Sequence, residues 1–152
     1  DRLLAIIGPQ AGRYWSHLTA ELAGEAAGNH CFHVFGVYPW SRLLGRTGQP
    51  LQVLDNCRIT WATVLSRDDD DIEVSCRALE WDSAALRLSE PSPRRLTVWV
   101  DGYAAVPDVA VGDVVALHWG RLCGRLAPQQ VQALADSTER QLSVTNRRLA
   151  RD

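Results

Sequence analysis

The sequence predicts an α+β protein: a small antiparallel β-barrel of the OB-like type, with about five strands, preceded by helices and followed by a C-terminal helix. Apolar residues recur at helical spacing near both ends of the chain, and short alternating stretches separated by turn residues fill its middle. The hydrophobic fraction of 46% in 152 residues is sufficient for a buried core. We therefore divide the chain into a helical extension (residues 1–50), a barrel module (51–126) and a C-terminal helix (127–152).

The N-terminal extension begins with an amphipathic pattern. Helical spacing predicts a helix that would bury one face through four residues: Tyr14, His17, Leu18 and Leu22. Residues 28–29 (Gly-Asn) end this helix. Residues 30–40 are rich in aromatic and β-branched side chains and fit either a buried helix or a strand. The continuation beyond Pro39 favours a helix that is kinked or restarts there, before a loop at residues 45–50.

Alternating patterns and turn residues predict the barrel strands, which we place at residues 57–66, 72–81, 86–88, 96–100 and 109–119. The acidic run 68–71 is a turn, and Gly112-Asp113 turns the chain into the apolar part of the last strand. Pro128 fits the first turn of the closing helix. We expect this helix to pack on the barrel or on a partner through a sparse stripe: Val131, Leu134, Thr138, Leu142, Thr145 and Leu149.

Composition excludes several classes of function. The net charge is −2, which gives no electrostatic reason to expect a nucleic-acid partner, and no stretch is apolar enough for a membrane span. No secretory signal is recognisable. The cysteines are widely spaced (Cys31, Cys57, Cys76 and Cys123), so we expect reduced thiols and a cytoplasmic location. The chain starts at Asp1 and contains no Met, which predicts that it is part of a longer polypeptide.

Two features of the barrel module carry a family resemblance. Residues 56–59 (Asn-Cys-Arg-Ile) place Cys57 at the first predicted strand, and residues 111–120 (VGDVVALHWG) form the closing strand with His118 near its end. With Leu126 and the following helix, residues 55–135 resemble the HypC/HupF group of hydrogenase maturation chaperones. The chain also resembles uncharacterised proteins associated with nickel–iron hydrogenase gene clusters, through residues 33–40 and 54–59.

The resemblance implies a non-enzymatic accessory protein. The Cys57 thiolate would be a soft ligand for low-spin iron carrying cyanide and carbon monoxide, and His118 would be a second ligand or a hydrogen-bond partner. The implied partners are the hydrogenase large-subunit precursor or other maturation proteins. In the maturation chaperones the cysteine is N-terminal, whereas Cys57 is internal and has no terminal amine beside it. The alternative for Cys57 is a small buried hydrophobe.

A second candidate cluster is His30, Cys31 and His33. On a helix, His30 and His33 would share a face and could clamp a metal, whereas on a strand they would point to opposite faces. A metal-binding enzyme using this cluster is therefore the second interpretation. The third is a structural subunit or interaction module that binds a larger complex through its tryptophans, at positions 15, 40, 61, 81, 99 and 119.

Overall fold

The computed structural model describes residues 20–151 and shows helices, a five-stranded antiparallel sheet and a long C-terminal helix in chain order. The helices are α1 (Ala20–Glu25), α2 (His30–Phe32) continuing as a π-helical segment (His33–Val37), a 3-10 segment (Pro39–Leu43), α3 (Gln49–Cys57) and α4 (Pro128–Leu149). The strands are β1 (Thr60–Asp68), β2 (Asp71–Cys76), β3 (Leu79–Trp81), β4 (Leu86–Leu88), β5 (Ser92–Thr97), β6 (Val114–His118) and β7 (Arg121–Arg125). The predicted α+β class is confirmed. Tyr14, His17, Leu18 and Trp15 lie outside the described residues.

The main sheet has the strand order β5-β2-β1-β6-β7, and all its neighbours are antiparallel. The acidic turn is as predicted, since Asp68 at the end of β1 pairs with Asp71 at the start of β2. Strand alternation places Ala62 and Val64 in the core and leaves Thr63 exposed. The buried faces of all five strands contribute to one cluster: Ala62, Val64, Ile72, Val74, Cys76, Leu96, Val98, Val106, Val109, Val115, Leu117 and Leu122.

The sheet curls without closing into a hydrogen-bonded barrel within residues 20–151. Its edge strands β5 and β7 approach to within 8 Å between Cα atoms but share no ladder. Pro93 lies in β5, which an edge strand tolerates because the missing N–H faces no ladder partner there.

A second core lies beneath the helices and the β3–β4 hairpin. Its buried members are Cys31, Val34, Phe35, Leu54, Leu79, Leu86 and Leu142. Helix α4 packs here, against α2, the π-helical segment and β4. Because β4 is one of the strands that the sequence assigned to the barrel, the expected packing on the barrel module holds for that strand. The side chain of Asn146 fixes this packing, because its amide donates to the Leu86 carbonyl (2.9 Å) and accepts from the Leu86 N–H (2.8 Å).

The α4 face is more polar than the predicted apolar stripe. Thr138, Leu142 and Thr145 are buried as expected, and Arg148 is buried beside them at 7% exposure. Arg148 donates to the Phe35 carbonyl (3.0 Å) and pairs with Glu25 (3.1 Å). This guanidinium therefore ties the C-terminal helix to the first helices of the described chain.

Several predicted boundaries need correction. Cys57 is the last residue of α3 and does not open a strand; this helix, which has Pro50 in its first turn, also crosses the predicted boundary between residues 50 and 51. The predicted strand 72–81 divides into β2 and β3, because the Leu79 N–H leaves the sheet to bond the Asp55 carboxylate (2.8 Å). Strand β7 was not predicted, and the predicted strand 96–100 begins four residues earlier, as β5 (Ser92–Thr97).

Candidate metal centre

Three metal-ligand side chains converge where α2, α3 and β6 meet. His30, Cys57 and His118 each present one ligand atom, and these atoms all lie within 4.8 Å of one another. His30 is exposed, while Cys57 and His118 are half-buried. The group combines members of both clusters that the sequence indicated, and it joins the helical part of the molecule to the five-stranded sheet.

His30 is held by the start of α2. Asn29, in extended conformation, caps this helix by accepting the Phe32 N–H (2.9 Å), and its amide donates to Ser137 of α4 (3.1 Å). The His30 ring then hydrogen-bonds through Nε2 to the carbonyl oxygen of Cys57 (2.8 Å). A carbonyl only accepts, so the neutral ring carries its proton on Nε2 and keeps a lone pair on Nδ1.

Cys57 is placed by the C-terminal end of α3, which a buried ion pair anchors. Arg58 caps the helix through its N–H to the Leu54 carbonyl (3.0 Å), and its side chain is only 1% exposed. The guanidinium pairs with Asp55 (2.9 Å) and also donates to the carbonyl of Arg77. The same Asp55 oxygen accepts the Leu79 N–H, so the residues around Cys57 are fixed to the β2–β3 connection.

His118 ends β6, immediately before a tight hairpin turn. Trp119 (φ 51°) and Gly120 (φ 70°) occupy the two central positions, and His118 pairs with Arg121 across the turn. The Trp119 N–H donates to the carbonyl of Asn56 (2.8 Å), which ties this hairpin to the end of α3. The His118 and His30 rings meet edge to face, with centroids 5.4 Å apart.

Two buried polar atoms at this junction are left without a partner, Nε2 of His118 and Nη1 of Arg58. The Nε2 of His118 is buried and makes no hydrogen bond. A buried polar nitrogen without a partner is costly, and such atoms need a specific explanation. A metal ion bound to His118 Nε2 would supply the missing partner of that atom.

The geometry is close to that of a three-ligand metal site. Metal–nitrogen and metal–sulfur bonds of about 2.0–2.3 Å place tetrahedral ligand atoms about 3.5 Å apart. Ligand atoms within 4.8 Å of one another would therefore need to close by about 1 Å. The hydrogen bond from His30 to the Cys57 carbonyl is the outer-shell contact typical of metal-ligating histidines. Three protein ligands would leave a coordination position for an exchangeable group.

Cys31 and His33 do not join this group. The Cys31 thiol is buried among the helices and lies 4.0 Å from the Thr138 hydroxyl, and burial raises its pKa despite that contact. His33 is exposed and packs edge to face on Tyr38, with ring centroids 4.6 Å apart. His33, three residues after His30 on the same helical segment, is not among the residues whose ligand atoms converge; the partners of His30 are Cys57 and His118.

Sequence reasoning missed the residues that position the ligands. Asn29 and Arg58 hold α2 and α3, and the Asn56 carbonyl holds the β6–β7 hairpin. The Gly28-Asn29 pair had been assigned only as the end of the preceding helix, although Asn is also a preferred N-cap residue for the helix that follows it. The Asp55-x-x-Arg58 spacing was a second available signal, since residues three apart on a helix can pair.

The chain belongs to the family described as Family of unknown function (DUF6390), which matches residues 1–152. No curated protein and no solved structure matches the chain. Among the helices of residues 20–151, none combines the length and the apolar character that crossing a bilayer requires.

Proposed function

We propose that this member of DUF6390 binds one transition-metal ion through His30, Cys57 and His118. The observation that carries the proposal is the convergence of these three side chains, with their ligand atoms within 4.8 Å of one another. The buried, unpartnered Nε2 of His118 supports it. In this proposal the ligands are one ring nitrogen of His30, the Cys57 thiolate and His118 Nε2. His30 Nδ1 is the nitrogen with a free lone pair while Nε2 donates to the Cys57 carbonyl.

The ligand set favours a borderline-soft metal. Imidazole suits zinc, copper, iron and nickel, and a thiolate adds preference for the softer members of this group. Magnesium and calcium prefer oxygen ligands, and the three ligands offer none. A half-exposed site with a free coordination position suits an ion or metal fragment that must be released again.

The resemblance to the HypC/HupF group leads to a specific form of this proposal. The protein is a cytoplasmic, non-enzymatic accessory protein of nickel–iron hydrogenase maturation, and its cargo is an iron fragment carrying cyanide and carbon monoxide. It passes this cargo to the large-subunit precursor or to another maturation protein. The open sheet is, in this proposal, a relative of the closed OB-like barrel. His30 supplies a nitrogen ligand that an internal cysteine cannot take from a chain terminus.

Metal titration of the purified protein tests the ligand set. Cobalt(II) bound to a thiolate gives a sulfur-to-metal charge-transfer band, so the expected result is one equivalent of cobalt with that band, lost in Cys57→Ser. His30→Gln and His118→Gln are expected to weaken binding by about tenfold to a hundredfold or more. The matched controls are Cys123→Ser and His33→Gln, which alter an exposed thiol and an exposed imidazole outside the cluster.

The maturation role has its own test. Protein isolated from cells that make the other maturation factors should show infrared bands of iron-bound cyanide and carbon monoxide, and these bands should be absent from Cys57→Ser. If cobalt binds through the three ligands but no such bands form, the metal centre stands and the hydrogenase role is lost. If the Cys123→Ser control loses cobalt as fully as Cys57→Ser does, the proposed centre is wrong.

A further inference from the structure

A basic and aromatic cleft of about 600 Å³ lies between β5 and the β6–β7 hairpin. Strand β5 contributes Arg94 and Arg95, the hairpin contributes Trp119, and β7 contributes Arg121. Asp71 is the one acidic residue among those that line the cleft. The local charge is therefore positive, although the whole chain carries a net charge of −2.

Two of the three guanidinium groups are available for a ligand. Arg95 is already paired with Asp71, at 3.0 Å between Nη2 and Oδ2. Arg121 lies 3.7 Å from Asp101, and both side chains are exposed, so solvent screens this loose pair. The Arg94 side chain is exposed and makes neither a hydrogen bond nor an ion pair with any residue in the described part of the chain, while its backbone pairs with Val74 in the β2–β5 ladder.

Trp119 adds a second, independent feature to the cleft. Its indole is 52% exposed, and its backbone is left-handed, with φ 51°. Asn, Asp or Gly normally occupies this turn position, and a bulky residue there is an outlier. Strained residues of this kind concentrate at functional sites. A half-exposed indole beside arginines offers a flat surface on which an apolar side chain can pack.

We propose that this cleft is the docking surface for an acidic segment of a partner protein. Carboxylates of that segment pair with Arg94 and Arg121, and an apolar or aromatic side chain covers Trp119. An acidic peptide fits this cleft better than a nucleic acid does. Nucleic-acid binding needs many basic contacts along a row of phosphates, whereas the cleft offers two available guanidinium groups and the whole protein has a net negative charge.

The backbone of Trp119 connects the cleft to the candidate metal centre. Trp119 directly follows His118, and its N–H donates a hydrogen bond to the carbonyl of Asn56, the residue before Cys57. A segment bound on Trp119 is thereby held beside the metal ligands. The partner would then be the protein that receives the metal, and this identification rests on the proposed function. The docking surface itself does not depend on the proposed function.

The test uses a fluorescein-labelled peptide in which glutamates flank a central phenylalanine, with binding followed by fluorescence anisotropy at low salt. Arg94→Gln combined with Arg121→Gln is expected to weaken binding by about tenfold or more, and Trp119→Asn, which suits the turn, by about tenfold. The control Arg46→Gln combined with Arg151→Gln removes the same charge from exposed positions outside the cleft and is expected to change binding less than about twofold.

Two results would overturn the docking surface. The first is a loss of peptide affinity in the control pair as large as the loss in the Arg94/Arg121 pair. The second is unchanged peptide affinity in Trp119→Asn, together with an oligothymidylate of the same charge that binds as tightly as the peptide. Circular dichroism of each variant verifies its fold. Metal-free Cys57→Ser is expected to bind the peptide normally, so failure of the metal centre and failure of the docking surface are separable.

Discussion

The buried pair Asp55–Arg58 offers the sharpest test of how the candidate site is built. In Asp55→Ala, one carboxylate disappears that now holds the Arg58 guanidinium (2.9 Å) and the Leu79 N–H (2.8 Å). Arg58 is 1% exposed, so its charge cannot be resolvated in place. Removing one partner of a buried ion pair typically costs about 3–5 kcal/mol, and we expect about 3 kcal/mol because Asp55 keeps 23% exposure.

The assay is urea unfolding at neutral pH, with the free energy of unfolding obtained by linear extrapolation. Asp55→Asn keeps an oxygen acceptor but no charge, so its expected loss is smaller, about 1–2 kcal/mol. Glu80→Gln is the surface control. Its partner Arg87 is 61% exposed, and the expected change is below about 0.5 kcal/mol. A loss of less than about 1 kcal/mol in Asp55→Ala, or one no larger than in Glu80→Gln, would show that this ion pair is not a buried anchor of the site.

Three further predictions concern packing, pH and thiol reactivity. Gly36→Ala should destabilise the protein by about 1–3 kcal/mol in calorimetry, since a Cβ there would lie 2.8 Å from the Phe32 ring; an unchanged melting temperature would contradict this packing. The pKa of Asp113 is lowered by the Ala110 N–H and then by Arg125. The charged Asp113 carboxylate therefore stabilises the protein above the ordinary carboxyl pKa, and this stabilisation is lost as the pH falls through the lowered pKa of the folded state. In Asp113→Asn, the urea midpoint should depend less on pH within that acidic window. An unchanged pH dependence of the urea midpoint would contradict the assignment. In the native protein, Cys123 is exposed and should react rapidly with a thiol reagent, whereas burial raises the pKa of Cys31 and Cys76 and should slow both; equal rates for all cysteines would show that these burials are wrong.

Local patterns predicted those parts of the fold where one face of an element is buried. Alternation identified most of β2 because its core residues, such as Ile72 and Val74, recur at every second position. In β1 alternation indicated the strand but not which of its two faces is buried. The C-terminal helix was found because Pro128 starts it and Thr138, Leu142 and Thr145 repeat on its buried face. These signals are local, so the elements that carry them can be predicted without knowledge of tertiary contacts.

Other elements depend on contacts that no local pattern contains. Strand β7 has Arg at both ends and Gly124 inside it, so its sequence resembles a polar loop until it pairs with β6. Helix α3 was assigned to a linker and a strand start because it is short and half of it is polar. Its end is fixed because Arg58 donates to the Arg77 carbonyl and Asp55 accepts the Leu79 N–H, and these non-local contacts form only in the folded chain.

The candidate site shows the same division. A role for Cys57 and His118 was suggested by resemblance, and the structure brings the two together, but the addition of His30 was not predicted. His30 reaches the group through the packing of α2 on α4, which the bond from Asn29 to Ser137 marks. Residues so far apart in sequence leave no periodic signal, and the neighbouring Cys31 and His33 drew attention to the wrong partners.

The position of the three ligands between two separate cores has a consequence for folding. His30 and Cys57 belong to the helical part, whereas His118 ends a strand of the main sheet, so the complete ligand set exists only after both cores have formed and met. An unfolded chain holds these ligands far apart and competes weakly for the ion, so binding should stabilise the native state by about 2.7 kcal/mol when free metal is a hundred times its dissociation constant. The ion would act as a noncovalent cross-link between cores, and opening of the junction would release it without unfolding either one.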